Sequence, residues 1–260
     1  MLQIVKGIKL IIDTHTHLDN EKYYNDLDEV IKRAKVNNVE KFIIPAANPK
    51  DIKRAVEISE KYDDIYFAVG VHPLDILQFD YHYLLDYINH PKCVAVGEIG
   101  LDYHYTKDTK DYQIELFQEQ LDIAIEYNKP VIIHIREANQ DSYEILERYI
   151  KKYPNLKGVL HCFNADEQFL KFSDNFYYAI GGVLTFKNAR KLVEVFPKIP
   201  KNRVIIETDS PYLTPHPYRG ERNEPSYTTI VRDKIAELWN VSKEEVEEIT
   251  TKNARDLFNI

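Results

Sequence analysis

Eight short apolar runs, mostly β-branched, recur along the chain, and longer charged segments separate them. This alternation constrains the fold more than any other feature, because it calls for a parallel sheet covered on both faces. The strand candidates are Ile8–Ile12, Lys41–Pro45, Tyr66–Val69, Cys93–Gly97, Val131–His134, Gly158–His161, Tyr177–Ile180 and Val204–Glu207. Helix candidates include Asp26–Val36, Lys50–Lys61, Asp111–Tyr127 and Asp141–Lys151, then Asp166–Ser173, Asn188–Phe196 and Thr228–Trp239. Within them, Ile114, Phe117, Leu121 and Ile125 stand at helical spacing. An open doubly wound sheet also uses this alternation, but it carries a glycine-rich phosphate loop after its first strand. Here the first strand runs into Asp13-Thr14-His15-Thr16-His17 instead, which favours an α/β fold of the (β/α)8 barrel type.

The length of 260 residues suits one such barrel, so the expectation is a single domain over residues 1–260. The two cysteines, Cys93 and Cys162, lie in apolar runs, which excludes a disulfide scaffold and fits a reducing cytoplasm. No stretch reaches the roughly eighteen continuous apolar residues of a membrane span. Met1 to Leu10 shows no small-residue cleavage site, so it is not read as a signal peptide. The net charge of −8 argues against broad electrostatic capture of nucleic acid, yet leaves room for a phosphate substrate at bound metal. One long irregular segment, Ser210 to Ser226, is rich in proline and basic residues, and such loops are more often functional than incidental. Two short helical stretches, Lys243–Ile249 and Asn253–Phe258, are expected to pack beneath the barrel.

Ligand-type residues gather at one end of the strands. His15 and His17 follow strand one, Glu98 follows strand four, and His134 and His161 end strands five and six. Asp209 follows strand eight. Barrels build their active sites at the carboxyl ends of the strands, and histidines scattered through a core have no reason to choose that end. Each position alone has a bland reading. An H-x-H pair is a weak motif, a histidine after an apolar strand is commonly a hydrogen-bonded core residue, and Glu98 suits a cap in a glycine turn. Together they describe a centre for two divalent ions, with Glu98 as the natural bridge between His15/His17 and His134/His161. Asp102 is a candidate to orient a histidine N–H. Glu207 and Asp209 face one side by the strand period, and Asp209 is suited to hold metal, to accept the proton of an attacking water, or to do both. Cys162 is expected to point away from His161 and not to be a ligand. Mixed histidine and carboxylate donors suit Zn²⁺ or Mn²⁺, with Mg²⁺ also compatible. The chemistry of such a centre is hydrolysis.

The motifs also resemble those of the TatD family of metal-dependent deoxyribonucleases. The resembling pieces are Asp13 to Asp19, Gly70-Val71-His72-Pro73, Gly97 to Tyr103, Pro130 to Arg136 and Gly158 to Phe163. They continue with Thr185 to Ala189, Glu207 to Leu213, Arg219 to Pro225 and Asn253 to Phe258. The resemblance implies a TIM barrel with His15, His17, Glu98, His134, His161 and Asp209 as metal ligands. It implies cleavage of DNA phosphodiesters, often from the 3′ end, supported by magnesium or manganese. Leu74 stands where the family often has histidine, and Glu221 where it commonly has a basic residue. Both differences fall on the substrate side.

Arg136, Lys187, Arg219 and Arg222 are candidates for phosphate contacts, since guanidinium groups pair well with phosphate oxygens. His72 and His104 are placed to line the cleft, and Tyr103 or Tyr212 to stack a base. The leading expectation is a two-metal nuclease acting on single-stranded DNA or 3′ ends, without a membrane role. The alternative within enzymes is hydrolysis of an amide, ester or aminoacyl-nucleic acid bond at the same centre. A non-catalytic binding protein is disfavoured by the complete ligand set.

Overall fold

The computed structural model describes residues 10–76, 81–105 and 108–260. In chain order it contains β1 (Ile11–Asp13), α1 (Leu27–Val36), β2 (Val39–Ala46), α2 (Ile52–Lys61), β3 (Ile65–Val69), α3 (Tyr81–Ile88) and β4 (Cys93–Asp102). There follow α4 (Lys110–Glu126), β5 (Val131–Arg136), α5 (Asn139–Lys152), β6 (Gly158–Leu160), β7 (Phe176–Ile180) and α6 (Arg190–Val195). The chain ends with β8 (Val204–Ile206), α7 (Thr228–Trp239) and α8 (Lys243–Phe258). The strands pair in parallel in sequence order, from β1 to β8, as the expected barrel requires.

Closure between β1 and β8 is made just beyond the ends of the strands. Thr14 N donates to Ile206 O (3.1 Å), Asp209 N to His15 O (2.9 Å) and His17 N to Ser210 O (2.8 Å). Asp13 takes Thr208 N at 2.9 Å and Thr208 Oγ1 at 2.6 Å, and Thr16 bridges Ser210 in parallel. The seam therefore ties together the two segments that carry His15, His17 and Asp209.

Strand period two divides the core into two layers. Phe42, Ile44, Phe67, Val69, Ile133 and Leu160 pack outward with the helices. Their neighbours Ile43, Ala68, Ala95, Ile132, Val159 and Ile205 pack with one another inside the barrel. The inner layer also contains Ala254, Leu257 and Phe258, so the end of α8 plugs the floor. Asn253 Nδ2 fastens that plug by donating to Val204 O (2.8 Å) and Lys201 O (2.9 Å). One step above the inner layer, two residues past Ile132, Val159 and Ile205, stand His134, His161 and Glu207.

Several elements differ from the sequence expectation. The first strand begins at Ile11, and Ile8 and Lys9 lie outside the described residues. Asp166–Ser173 is a 3₁₀ segment, Glu167–Phe172, with Asp166 accepting from Gln168 N. Its buried Phe169 and Phe172 are three apart, which a 3₁₀ turn aligns on one side. The next helix shortens to α6 because Pro197 follows and the chain turns 3₁₀ over Phe196–Lys198. Lys243–Ile249 and Asn253–Phe258 are one helix, α8, in which Thr250 turns its hydroxyl back to Val246 O (2.8 Å). The helix α3, absent from the sequence reading, is aromatic enough to resemble a strand, although Leu84 and Ile88 are buried four apart. Among the described residues no helix is long and apolar enough to cross a membrane.

Candidate metal centre

The strand β4 runs five residues further than expected, to Asp102, so Glu98 lies within it rather than after it. Gly97 pairs with Ile132 and Ile99 with Ile133, which leaves Glu98 as the extra residue of a bulge. A bulge bends the strand locally and re-aims a side chain. Glycine is needed beside it, because a Cβ at position 97 would sit 2.5 Å from Ile132 Cβ.

The Glu98 carboxylate, nearly buried, faces two groups of histidines. Its Oε1 is 2.7 Å from His134 Nδ1 and 3.7 Å from His161 Nε2, and its Oε2 is 3.2 Å from His15 Nε2. Asp209 Oδ1 stands on the other side of the His15 group, 3.4 Å from His17 Nε2 and 3.7 Å from His15 Nε2. Asp209 has a left-handed backbone (φ 57°), which aspartate tolerates better than most residues. Potential ligand atoms of His15, His17 and Glu98 all lie within 4.8 Å of one another, and so do those of Glu98, His134 and His161.

Two further carboxylates hold imidazoles from behind. Asp102 Oδ2 meets His134 Nε2 at 3.0 Å, and Glu207 Oε2 meets His161 Nδ1 at 2.8 Å. Glu207 Oε1 also accepts from Cys162 N (2.7 Å). Cys162 lies past β6, and among the described residues no candidate metal group includes a cysteine. His72 lies closer to the centre than a purely substrate-side residue: its Nε2 is 3.8 Å from Glu98 Oε1, and it groups with Asp102 and His134.

The sequence reading missed two buried glutamines of α4 that brace these strand ends. Gln113 accepts from Asp102 N (2.8 Å) and donates to Asp102 O (2.9 Å); Gln120 does the same for Val71, at 2.7 and 3.1 Å. The available signal was two polar residues, seven apart, on the apolar stripe with Phe117 and Leu121.

Electrostatics at the centre are opposed and tightly packed. Burial lowers the His15 pKa, and the charge of His161 adds to that, since their rings stack at 3.5 Å. Burial works against protonation of His161 too, but Glu207, Glu98 and Asp209 outweigh it and push its pKa up to about 10. Burial likewise fails to keep Glu98 neutral: His161 and His15 hold its carboxyl well below the usual range. His15 has both ring nitrogens buried without a hydrogen-bond partner, Nε2 being near Glu98 but out of line for a bond. A buried imidazole with nothing to bond, facing carboxylates, is what a metal ligand looks like. The donor set fits divalent ions.

The expected substrate contacts divide. Arg136, at the end of β5, is exposed with its guanidinium 4.9 Å over the Tyr105 ring. Arg219 lies 3.9 Å over Phe186 and donates to Thr214 O (3.0 Å), next to exposed Lys187. Arg222 grips Asp26 with two nitrogens (2.8 and 2.6 Å) and donates to Lys22 O, so its guanidinium is engaged in an ion pair within the protein. Tyr103 is buried with its hydroxyl on Asp141 (2.7 Å), which removes it as a stacking platform. Tyr212 is 46% exposed and stands edge-on to His17. His104 is exposed, its Nδ1 2.6 Å from Glu137 Oε1. Beside the centre a cleft of about 180 Å³ is lined by His17, Asp19, Asp51, His72, Asp75 and Tyr212, among others.

Comparison with known proteins matches residues 12–259 to the family described as TatD related DNase. The chain is 45% identical over 256 residues to YabD of Bacillus subtilis, named an uncharacterised metal-dependent hydrolase, covering 96% of this chain and 100% of that one. It is 37% identical to YcfH of Escherichia coli K12, of the same description, covering 96% of each. Among solved structures, the TatD homologue YjjV of Escherichia coli K12 superposes with a TM-score of 0.89 at 30% identity, covering 96% of this chain and 98% of that one.

Proposed function

The chain belongs to the TatD-related DNase family of metal-dependent hydrolases, and from that premise we propose that it cleaves DNA phosphodiester bonds as a 3′–5′ exonuclease. The observation that carries the two-ion reading is the aim of Glu98, whose two oxygens face separate histidine groups, Oε2 toward His15 and Oε1 toward His134. In this reading His15, His17 and Asp209 would hold one divalent ion and His134 and His161 the other, with Glu98 placed to serve both. Mg²⁺, Mn²⁺ and Zn²⁺ all suit the donor set. Ions bound there supply activation of water at neutral pH and neutralisation of charge on the attacked phosphate.

The protein supplies the rest. Asp102 and Glu207 fix the orientation and tautomer of His134 and His161. Asp209, whose side chain is 15% exposed, takes the proton that the attacking water loses. The new bond joins the water oxygen to phosphorus as the bond to the sugar oxygen breaks, and the sugar oxygen leaves as a hydroxyl with a proton drawn from solvent. Arg136 and Arg219 receive the phosphates of the incoming single strand.

The test is cleavage of end-labelled single-stranded DNA by metal-stripped protein after separate addition of Mg²⁺, Mn²⁺ or Zn²⁺, with Glu98→Ala and Asp209→Asn alongside. The expected result is stepwise shortening restored by metal and absent from both variants, each still folded by circular dichroism. Bound metal without cleavage of any DNA would overturn the nuclease reading, and turnover of an ester or amide panel would replace it with the carbonyl alternative.

A further inference from the structure

Tyr212 is an exposed aromatic ring held in place beside the candidate metal centre. Seven large apolar side chains are exposed among the described residues, and of these Tyr212 alone lines the cleft with His17 and Glu98. Its ring stands edge-on to His17, with centroids 5.8 Å apart. We propose that Tyr212 is the platform on which a nucleobase flanking the attacked phosphate stacks, so that the centre selects strands with an unpaired base next to the scissile bond. This rests on the nuclease reading above and names what that site would recognise besides phosphate.

A tyrosine that serves packing is buried. Tyr23, in the loop after β1, is such a case: it is fully buried, and its hydroxyl donates to Asn223 O (2.6 Å). Tyr212 is tied as firmly but left open. Tyr212 N donates to Asp209 O (2.8 Å), Asn223 Nδ2 donates to Tyr212 O (2.6 Å), and Asn20 Nδ2 donates to the Tyr212 hydroxyl (3.1 Å). The same Asn223 amide donates to Thr208 O (2.9 Å), so the ring is held in register with the segment that carries Asp209. Fixing a ring gains little hydrophobic energy when much of it stays in water, but it removes an ordering cost that a ligand would otherwise meet. A ring face is reached from solvent, because the ammonium of exposed Lys22 lies over it, 5.1 Å from the centroid. An exposed cation–π contact is weaker than base stacking, and the flexible stem of lysine lets it give way to a base. Stacking reads a π-face and not a sequence, since every base has one. A base inside a duplex is covered by its neighbours and must leave the stack before it can use Tyr212.

The experiment uses two single strands that differ only at the 3′ end, one intact and one whose last two nucleotides carry no base. Binding is read by fluorescence anisotropy with Ca²⁺-loaded protein, and cleavage as kcat/KM with Mn²⁺-loaded protein. The wild type should bind and cleave the abasic strand about tenfold less well than the intact one. Tyr212→Leu should lose about tenfold on the intact strand and less than about twofold on the abasic strand. Tyr212→Phe, which keeps the ring, should discriminate as the wild type does. If the leucine variant fails to fold, Tyr212→Trp takes its place: its larger face should widen the ratio between the strands, and an unchanged ratio overturns the platform. A wild type indifferent to the missing bases also overturns it. So does a leucine variant that loses equally on both strands, which would make Tyr212 a cover for His17. Discrimination in binding without cleavage of the intact strand overturns the nuclease reading and leaves base recognition by Tyr212 standing.

Discussion

Glu207 illustrates how much of this centre depends on residues that touch no substrate. It is 1% exposed and spends both oxygens, one on His161 and one on Cys162 N. Glu207→Gln keeps the volume but leaves one acceptor oxygen for two donors, His161 Nδ1–H and Cys162 N–H, so metal affinity should fall about 10- to 100-fold in chelator competition. Affinity equal to wild type would mean that His161 is held by packing alone. The arginines separate by the same logic. Arg219→Ala should raise KM for DNA with little change in melting temperature, whereas Arg222→Ala should leave KM unchanged and cost about 1 kcal/mol or less, its pair being partly solvent-screened. The ligand-type residues were legible in sequence because strand period two aims His134, His161 and Glu207 up from the inner layer. The loss of Arg222 to Asp26 was not legible, since 196 residues separate the two and only the closed fold brings them together. The aim of Glu98 was legible in kind, but the bulge that produces it depends on pairing with β5.

Elements were read best where burial alone decides their pattern. The apolar spacing of α4 and the β-branched runs of β5 and β8 survive almost unchanged, because burial of one face or both decides them. The segments misjudged were short, and tertiary packing set them: α3 with its aromatics, the 3₁₀ turn after Asp166, and the Thr250–Thr251 pair inside α8. That last helix makes a direct stability prediction. Phe258 is 3% exposed in the barrel floor, and Phe258→Ala should destabilise the fold by about 3–5 kcal/mol in denaturant titration. A loss below about 1 kcal/mol would show that α8 covers the barrel without plugging it.

For the molecule as a whole, the inner and outer layers are complete without ions, so the barrel should not depend on them to fold. Removing metal with a chelator should lower the melting temperature and preserve the far-ultraviolet circular dichroism, the loss growing with the logarithm of metal concentration over its dissociation constant. Collapse of the spectrum on chelation would instead make the centre part of the fold's foundation.

The seam between β1 and β8 is also a matter of timing. Thr16 and Ser210 meet across 194 residues, and the candidate ligands gathered there follow the first strand and the last. During synthesis, His15 and His17 leave the ribosome early and then wait for Asp209 to arrive. A half-made chain therefore carries three of the six candidate donors, His15, His17 and Glu98, and the centre can be completed only when the ring is shut.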